Sequence, residues 1–351
     1  MATARIAVYL SRHGYGHLVR AAAVLERLAA RMPVALSVVA PQPPELWPAS
    51  LKRVTEWVAA ASDIGVEQSD DVTVDAAATG AALERWLMRL PDIVAEETGR
   101  LRRGFDLVLG DVPPAAFEAA AAAGIPSVAL ANFSWDWIYR ELGFDAAAQA
   151  SASMYARAGL LLETAPSAPM DAFTNRRSIG LVARRPAGRR IHTRARLGAG
   201  AGERLVLIAL RPDSSSLLRL PPPLPGVRYL LARGWPGDRV RSDVTSDCAV
   251  DFLDLLEAAD VVVGKPGYGL IGDVVATATR LLWVARPGFP ESAVLEAWLQ
   301  RRSGSRRISA HALRSGAWSS DLCALLEESE PAPVDCSGAQ HAAAALAACL
   351  E

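Results

Sequence analysis

The sequence predicts an α/β chain built from two doubly wound parallel-sheet domains, and three observations lead there. Short β-branched runs alternate with Ala/Leu/Glu/Arg stretches of helical spacing, an order that requires parallel pairing through right-handed crossovers. A segment rich in Pro, Gly, Ala and Arg interrupts the alternation near the middle, after which it resumes. The 351 residues, 51% hydrophobic and 21% charged, suffice for roughly two domains of about 150 residues, each able to bury its own core.

Taken in order, Arg5–Leu10 (RIAVYL) reads as a buried strand, Leu18–Arg31 as a helix and Val34–Val39 (VALSVV) as the next strand. Ala81–Arg103 is a long amphipathic helix; Asp106–Asp111 (DLVLGD), Pro114–Ala123 and Ser127–Ala131 continue as strand, helix and strand. From Thr164 to Gly202 the composition turns to Pro, Gly, Ala and Arg, the signature of a connection. Beyond it, Arg204–Leu210 and Val227–Ala232 are strands, Phe252–Ala259 a helix, Asp260–Gly264 (DVVVG) a strand and Gly269–Ala278 a helix. Arg280–Ala285 is a strand and Glu291–Arg301 a helix; an Ala-rich helix, Ala339–Leu350, follows a loose stretch around Pro331–Ser337. The expected organisation is a first domain over 1–165, a linker over 166–202, a second domain over 203–337, and a terminal helix over 338–351 that packs back on the first domain.

With 37 Lys and Arg against 38 Asp and Glu, a net charge of -1, the chain exerts no general pull on nucleic acid or anionic lipid, which select a basic surplus. The arginines over 184–196 fall in the linker and read as a solvated loop. Cys248, Cys323, Cys336 and Cys349 form no C-x-x-C pair and have no His at ligand spacing, so neither structural zinc nor a disulfide framework is expected. No stretch approaches about 18 consecutive apolar residues. The start runs from its apolar segment into a His/Gly loop without a cleavage site. A cytoplasmic protein without an integral membrane segment is expected, of unread oligomeric state. Lysine is nearly absent: Lys52 and Lys265 stand alone among arginines, which makes Lys265 a position to explain.

Ligands of open parallel sheets gather outside the carboxyl ends of the strands, where strand order reverses. The first strand ends in SRHGYGHLVR, residues 11–20. Gly14 and Gly16 permit a tight turn and close approach of a ligand, and His17 falls at the start of the next helix, whose free N–H groups suit an anion. An imidazole with an ordinary pKa near 6.5 is a candidate base; the bland alternative is a Gly turn carrying two polar residues. His13 and His17 would form a metal pair only on one helix, which the glycines oppose. Asp111 either orients the imidazole, as the acid of a nucleophilic triad does, or caps the helix that follows. No GxSxG elbow accompanies it. In ANFSWDWIYR, residues 131–140, Trp135, Trp137 and Tyr139 follow Phe133, as stacking faces for a sugar or as a core plug. DVVVGKPGYGLIGD, residues 260–273, ends a strand at Gly264 and leads through Lys265, Gly267 and Gly269 into a helix, a plausible diphosphate cradle. It is neither a Walker A sequence nor GxGxxG. Asp273, in the first turns of that helix, either meets ribose hydroxyls or complements the helix dipole.

HGYGHLVR, NFSWDWIY, the run Phe252–Gly264 and GKPGYG, in this order, resemble the GT-B glycosyltransferases from Ile6 to about Leu299. The subfamily most resembled is similar to the N-terminal region of plant L-arabinokinases and, more distantly, to the peptidoglycan N-acetylglucosaminyltransferase. The resemblance implies two Rossmann-like domains facing across a cleft. It implies a nucleotide-diphosphate sugar, foremost a UDP-sugar, as co-substrate, a small-molecule acceptor, no cofactor and, with no DxD loop, no essential metal. By position it places a base at His17 and a supporting acid at Asp111. Acceptor-binding or cleft positions are His13, Gly14, Gly16, Arg20, Asn132, Ser134 and Trp135. Donor-binding positions are Gly264, Lys265, Gly267, Tyr268, Gly269, Asp273 and Glu291, with Arg211 and Ser214 in the loop after Leu210. Asp273 stands where the family commonly has Glu, and that loop reads RPDSSS rather than a glycine-rich turn. No kinase domain of the arabinokinase type is present in these residues.

The expected chemistry is hexosyl or pentosyl transfer, with His17 taking the acceptor proton and Lys265 and backbone N–H groups receiving the departing diphosphate. Nucleotide-sugar hydrolases of the pseudaminic acid pathway share the GxGHxxR element and use water instead; nucleotide-sugar 2-epimerases share the architecture. A non-catalytic nucleotide-sugar-binding protein is the reading from a different class.

Overall fold

The computed structural model describes residues 2–69, 73–210, 216, 218–232, 241–248 and 250–351. The chain divides into two compact units, one of Met1–Glu67, Asp75–Arg184 and Asp335–Glu351, the other of Gln68–Val74 and Arg185–Val334.

The first unit is built on strands β1 (Ala4–Leu10), β2 (Val34–Val39), β3 (Thr55–Val58), β4 (Leu107–Asp111), β5 (Ser127–Ala131), β6 (Leu160–Glu163) and β7 (Arg176–Ser178). They form one all-parallel sheet in the order β3-β2-β1-β4-β5-β6-β7. Its helices are α1 (Gly16–Ala29), α2 (Ala49–Lys52), α3 (Ala76–Leu101), α4 (Ala115–Ala123), α5 (Trp135–Glu141) and α6 (Asp145–Tyr155). Residues 6–10 of β1 are all buried whichever face they take, as expected of a parallel strand covered by helices on both sides. Ala7, Tyr9 and Val108 pack with Leu101 of α3 and with Ala116, Ala119 and Ala120 of α4. The small α4 side chains let that helix sit low on the sheet. Gly110 is required there, since a Cβ would lie 2.5 Å from the Phe117 ring.

The second unit begins with α7 (Arg190–Arg196) and carries β8 (Arg204–Ala209), β9 (Val227–Ala232), β10 (Val244–Cys248), β11 (Val261–Gly264), β12 (Arg280–Val284) and β13 (Ser305–Ile308), in the parallel order β10-β9-β8-β11-β12-β13. Helices α8 (Phe252–Ala258), α9 (Tyr268–Ala276), α10 (Pro290–Leu299), α11 (Ala310–Ser315) and α12 (Ser319–Glu327) complete it. Trp318, Leu322 and Leu325 pack on Val206, Ile208, Val261 and Val263. Burying each large side chain of this kind contributes about 1.5–3 kcal/mol. The last helix, α13 (Gly338–Leu350), returns to the first unit and packs against α1.

The 166–202 segment is divided between the units, with β7 extending the first sheet and α7 in the second unit. Its arginines are only in part solvated: Arg185, Arg189 and Arg196 are exposed, but Arg190 and Arg194 are not simply loop charges. Arg190 and Arg194 donate to the two carboxylate oxygens of Asp260 at 2.8 and 3.1 Å, because a carboxylate 7% exposed requires charged partners. β3, β6, α5 and α6 were not legible as elements: short strands such as LLLE lack β-branched residues, and DAAAQASASMY has a weak apolar stripe.

Both sheets are wound alike. The chain steps outward from β1 to β3, then crosses to β4; it steps from β8 to β10, then crosses to β11. Strand order therefore reverses beside β1 and β4 in one unit and beside β8 and β11 in the other, where ligands of such sheets bind. No helix among the described residues is long and apolar enough to cross a membrane.

Candidate active site

At the switch point of the first sheet, the chain leaves β1 through Ser11 and turns at Gly14, whose φ of +76° suits glycine. It enters α1 with Tyr15 at the N-cap and no side-chain cap on the first N–H groups. His17 and Arg20 are three apart and lie on one face of α1. β4 is the sheet neighbour of β1, pairing Leu10 with Asp111, so adjacency in the sheet brings Asp111 to that face across 94 residues of sequence.

Asp111 is fully buried, and His17 and Arg20 are 5% and 3% exposed. Asp111 Oδ1 lies 2.7 Å from His17 Nδ1. Arg20 donates from Nε to Oδ2 at 2.9 Å and from Nη2 to Oδ1 at 2.5 Å. Its Nη1 donates to Asn132 Oδ1 at the end of β5. Burial pushes the Asp111 carboxyl up, but Arg20 and then His17 more than offset it and hold it below the usual carboxylate range. An ionised carboxylate only accepts, so Nδ1 carries the hydrogen and neutral His17 has its lone pair on Nε2. No hydrogen bond to Nε2 is made by the described residues. Phe133 meets the ring edge-on with centroids 5.7 Å apart. The arrangement can accept one proton at a fixed point. Asp111 does not cap the helix that follows: the N-cap position of α4 is Pro114, without a side-chain cap.

A second buried carboxylate, Asp63, ties the loop down. It accepts from the Arg12 backbone N–H at 3.1 Å and from Trp135 Nε1 at 2.8 Å, and burial pushes its carboxyl up despite these donors. Trp135 stacks on Tyr139 and meets His13 edge-on. Gln42 donates to the Ser11 and Gly14 carbonyls at 2.7 and 3.0 Å, and Tyr155 to the Val112 carbonyl at 2.6 Å. Val112, directly after Asp111, has a φ of 68°, a rare conformation for a β-branched residue and a local strain worth about 1–3 kcal/mol.

The expected residues therefore separate. Phe133, Trp135 and Tyr139 are a buried plug rather than a sugar platform, and Trp137 is half-buried. Arg20, Asn132 and Ser134, expected toward an acceptor, are buried, the first two within the Asp111 network. His13 is half-buried, while Gly14 and Tyr15 are exposed. Asp63, Gln42 and Tyr155 were missed, since each lies in sequence with no periodicity or motif; only the isolated polarity of Asp63 in ASDIG was a signal.

In the second unit, β11 ends at Gly264, where a Cβ would approach Leu270 to 3.0 Å and the Ala209 carbonyl to 3.2 Å. Lys265 and Pro266 lead to Gly267, the N-cap of α9; among the described residues a Cβ on Gly267 would meet nothing within 4 Å. Tyr268 and Gly269 stand in the first turn of that helix. Asp273 is 3% exposed further along α9, and Glu291 is 8% exposed in the first turn of α10. Arg211 and Ser214 lie outside the described residues.

No family model matches the chain. L-arabinokinase from Arabidopsis thaliana is 28% identical over 341 residues, a match covering 89% of this chain and 31% of the kinase. Among solved structures, glycosyltransferase SnogD from Streptomyces nogalater superposes with a TM-score of 0.58 at 15% identity, covering 99% of this chain and all of that one. MurG from Acinetobacter baumannii gives 0.53 at 13% identity, covering 97% and 93%. Phytolacca americana UGT2, complexed with UDP-2-fluoroglucose and pterostilbene, gives 0.59 at 11%, covering 99% and 94%. With its pair of parallel sheets of seven and six strands, the protein has the GT-B fold of these glycosyltransferases.

Proposed function

We propose that the protein is a glycosyltransferase that moves a hexosyl or pentosyl group from a nucleotide-diphosphate sugar, foremost a UDP-sugar, to a small-molecule acceptor. The observation that carries this reading is the buried His17–Asp111 pair at the switch point of the first sheet, with Nε2 unengaged by the described residues. An acceptor hydroxyl hydrogen-bonded to Nε2 gives up its proton there as its oxygen bonds to the anomeric carbon. The bond from that carbon to the diphosphate oxygen breaks, and the diphosphate leaves with the electron pair. Asp111 fixes the tautomer and steadies the imidazolium that forms. In the second unit, Lys265 and the N-terminal end of α9, with its helix dipole, are suited to the departing charge, with Asp273 and Glu291 assigned to the donor and no metal required. The glycosyltransferase neighbours, one complexed with UDP-2-fluoroglucose and pterostilbene, support the substrate classes.

The test has two steps. A thermal-shift panel of nucleotide diphosphates and nucleotide sugars identifies the donor, because a ligand of the folded state raises its apparent stability. His17→Ala is then expected to lower kcat by about 10²–10⁴-fold with donor affinity unchanged. Loss of donor binding with normal turnover would remove His17 from the chemistry. Donor consumed without any acceptor would instead make water the nucleophile at the same base.

A further inference from the structure

The H-x-x-R spacing places a guanidinium beside the His17–Asp111 pair, and its geometry is more than that of a structural ion pair. Arg20 engages both oxygens of Asp111 and reaches on to Asn132, so its fork is committed and buried. No substrate phosphate or carboxylate can take it without dismantling that network. Its Nη2 lies 3.3 Å from His17 Nδ1, so it acts on the same ring that Asp111 orients. A buried carboxylate alone beside an imidazole draws a proton onto it and holds the imidazolium as an ion pair. A base trapped in that way can take nothing from a substrate.

We propose that Arg20 is a positioning residue that cancels the Asp111 charge, so that Asp111 orients His17 through Nδ1 without holding it as an imidazolium. The charged groups acting on the ring are Asp111 from β4, Arg20 from α1 itself and Asp63 from the loop after β3. Two opposite charges lie closest, and they offset one another. Arginine suits the task because its guanidinium stays charged at any working pH and its planar fork fits a carboxylate in one orientation. The motif is then a base and its counter-charge on one helical face, one turn apart. The proposal rests on the assignment of His17 as base for its purpose, but its measurement does not.

Histidine-selective nitrogen NMR of the full chain, titrated with pH, tests it; the His17 signal is identified by its loss in His17→Gln. The parent ring is expected as the Nδ1–H tautomer. In Arg20→Met the second proton goes on at a pH higher by about one unit or more, a tenfold gain in proton affinity, since a full charge has left the ring's vicinity. Arg20→Lys keeps the charge and is expected to restore most of the parent behaviour. Should Arg20→Met fail to fold, Asp111→Asn and the double variant Asp111→Asn/Arg20→Met carry the test. The first takes up the proton at a lower pH than the parent, and the second moves back up by about one unit. An unmoved titration in folded Arg20→Met, a double variant indistinguishable from Asp111→Asn, Arg20→Lys behaving as Arg20→Met, or an Nε2–H tautomer in the parent overturns the proposal. Full turnover in His17→Gln would sink the base assignment alone and leave the titration result standing.

Discussion

Replacing Asp111 by asparagine removes one charge from a cluster with no solvent to absorb the change. Arg20 would keep its buried guanidinium and find a neutral amide, one oxygen and one NH2 donor, in place of the two carboxylate oxygens now at 2.9 and 2.5 Å. Breaking a buried pair by deleting one partner costs about 3–5 kcal/mol. For a unit of this size each kcal/mol corresponds to about 2–4 °C in Tm, so the expected loss at pH 7 is about 6–20 °C. The sign with pH follows from the carboxyl being held below its usual range. Its stabilisation is complete above the unfolded value of about 3.9 and disappears as pH falls through the lower folded value. Thermal unfolding by calorimetry from neutral to acid pH should therefore show parent and Asp111→Asn far apart at pH 7 and converging in acid. A variant within about 2 °C of the parent at pH 7, or a deficit that does not shrink on acidification, would show that Asp111 is not the ionised anchor described.

Gly267→Ala should leave the fold intact, because the position is extended and no described residue lies within 4 Å of the added Cβ, yet weaken nucleotide diphosphate binding by about tenfold, ~1.4 kcal/mol; unchanged affinity in isothermal titration would place the diphosphate elsewhere. Lys265→Met should lose about 1.5–3 kcal/mol of that affinity if its ammonium meets a phosphate, and equal Kd values for UDP in parent and variant would make it a surface lysine. Ala278 is exposed with a φ of 52° beyond the end of α9. Ala278→Gly should stabilise by about 0.5–1 kcal/mol, visible as a higher denaturant midpoint; a lower midpoint refutes the strain.

Much of the frame was legible because β1, β4, β5 and β11 are short, mostly apolar runs without period-two alternation, the pattern of parallel strands buried on both faces. Each half of the dyad was legible as a strand-end residue, but that His17 meets Asp111 follows from β1 lying beside β4. A helix period puts Arg20 on the face of His17; it does not say that the guanidinium turns inward to a carboxylate rather than outward to a ligand. The aromatic run had two readings because alternating aromatics serve a pocket and a core equally well. Asp63 settled it by engaging the Trp135 indole from a loop that carries no periodic signal. Sites on regular elements were readable, whereas contacts made by irregular loops were not.

Val182 and Ser337 face each other in an isolated antiparallel bridge, and the Gly338 N–H donates to the Leu181 carbonyl. The chain thus leaves the first unit and re-enters it at one doorway, with 185–334 spliced in as a cassette. In synthesis, the helix bearing His17 and Arg20 waits through that whole insertion for the α13 face that covers it. That helix is therefore covered last although it is made first. The cassette's neighbouring ends mean that it can be exchanged without reopening the first sheet.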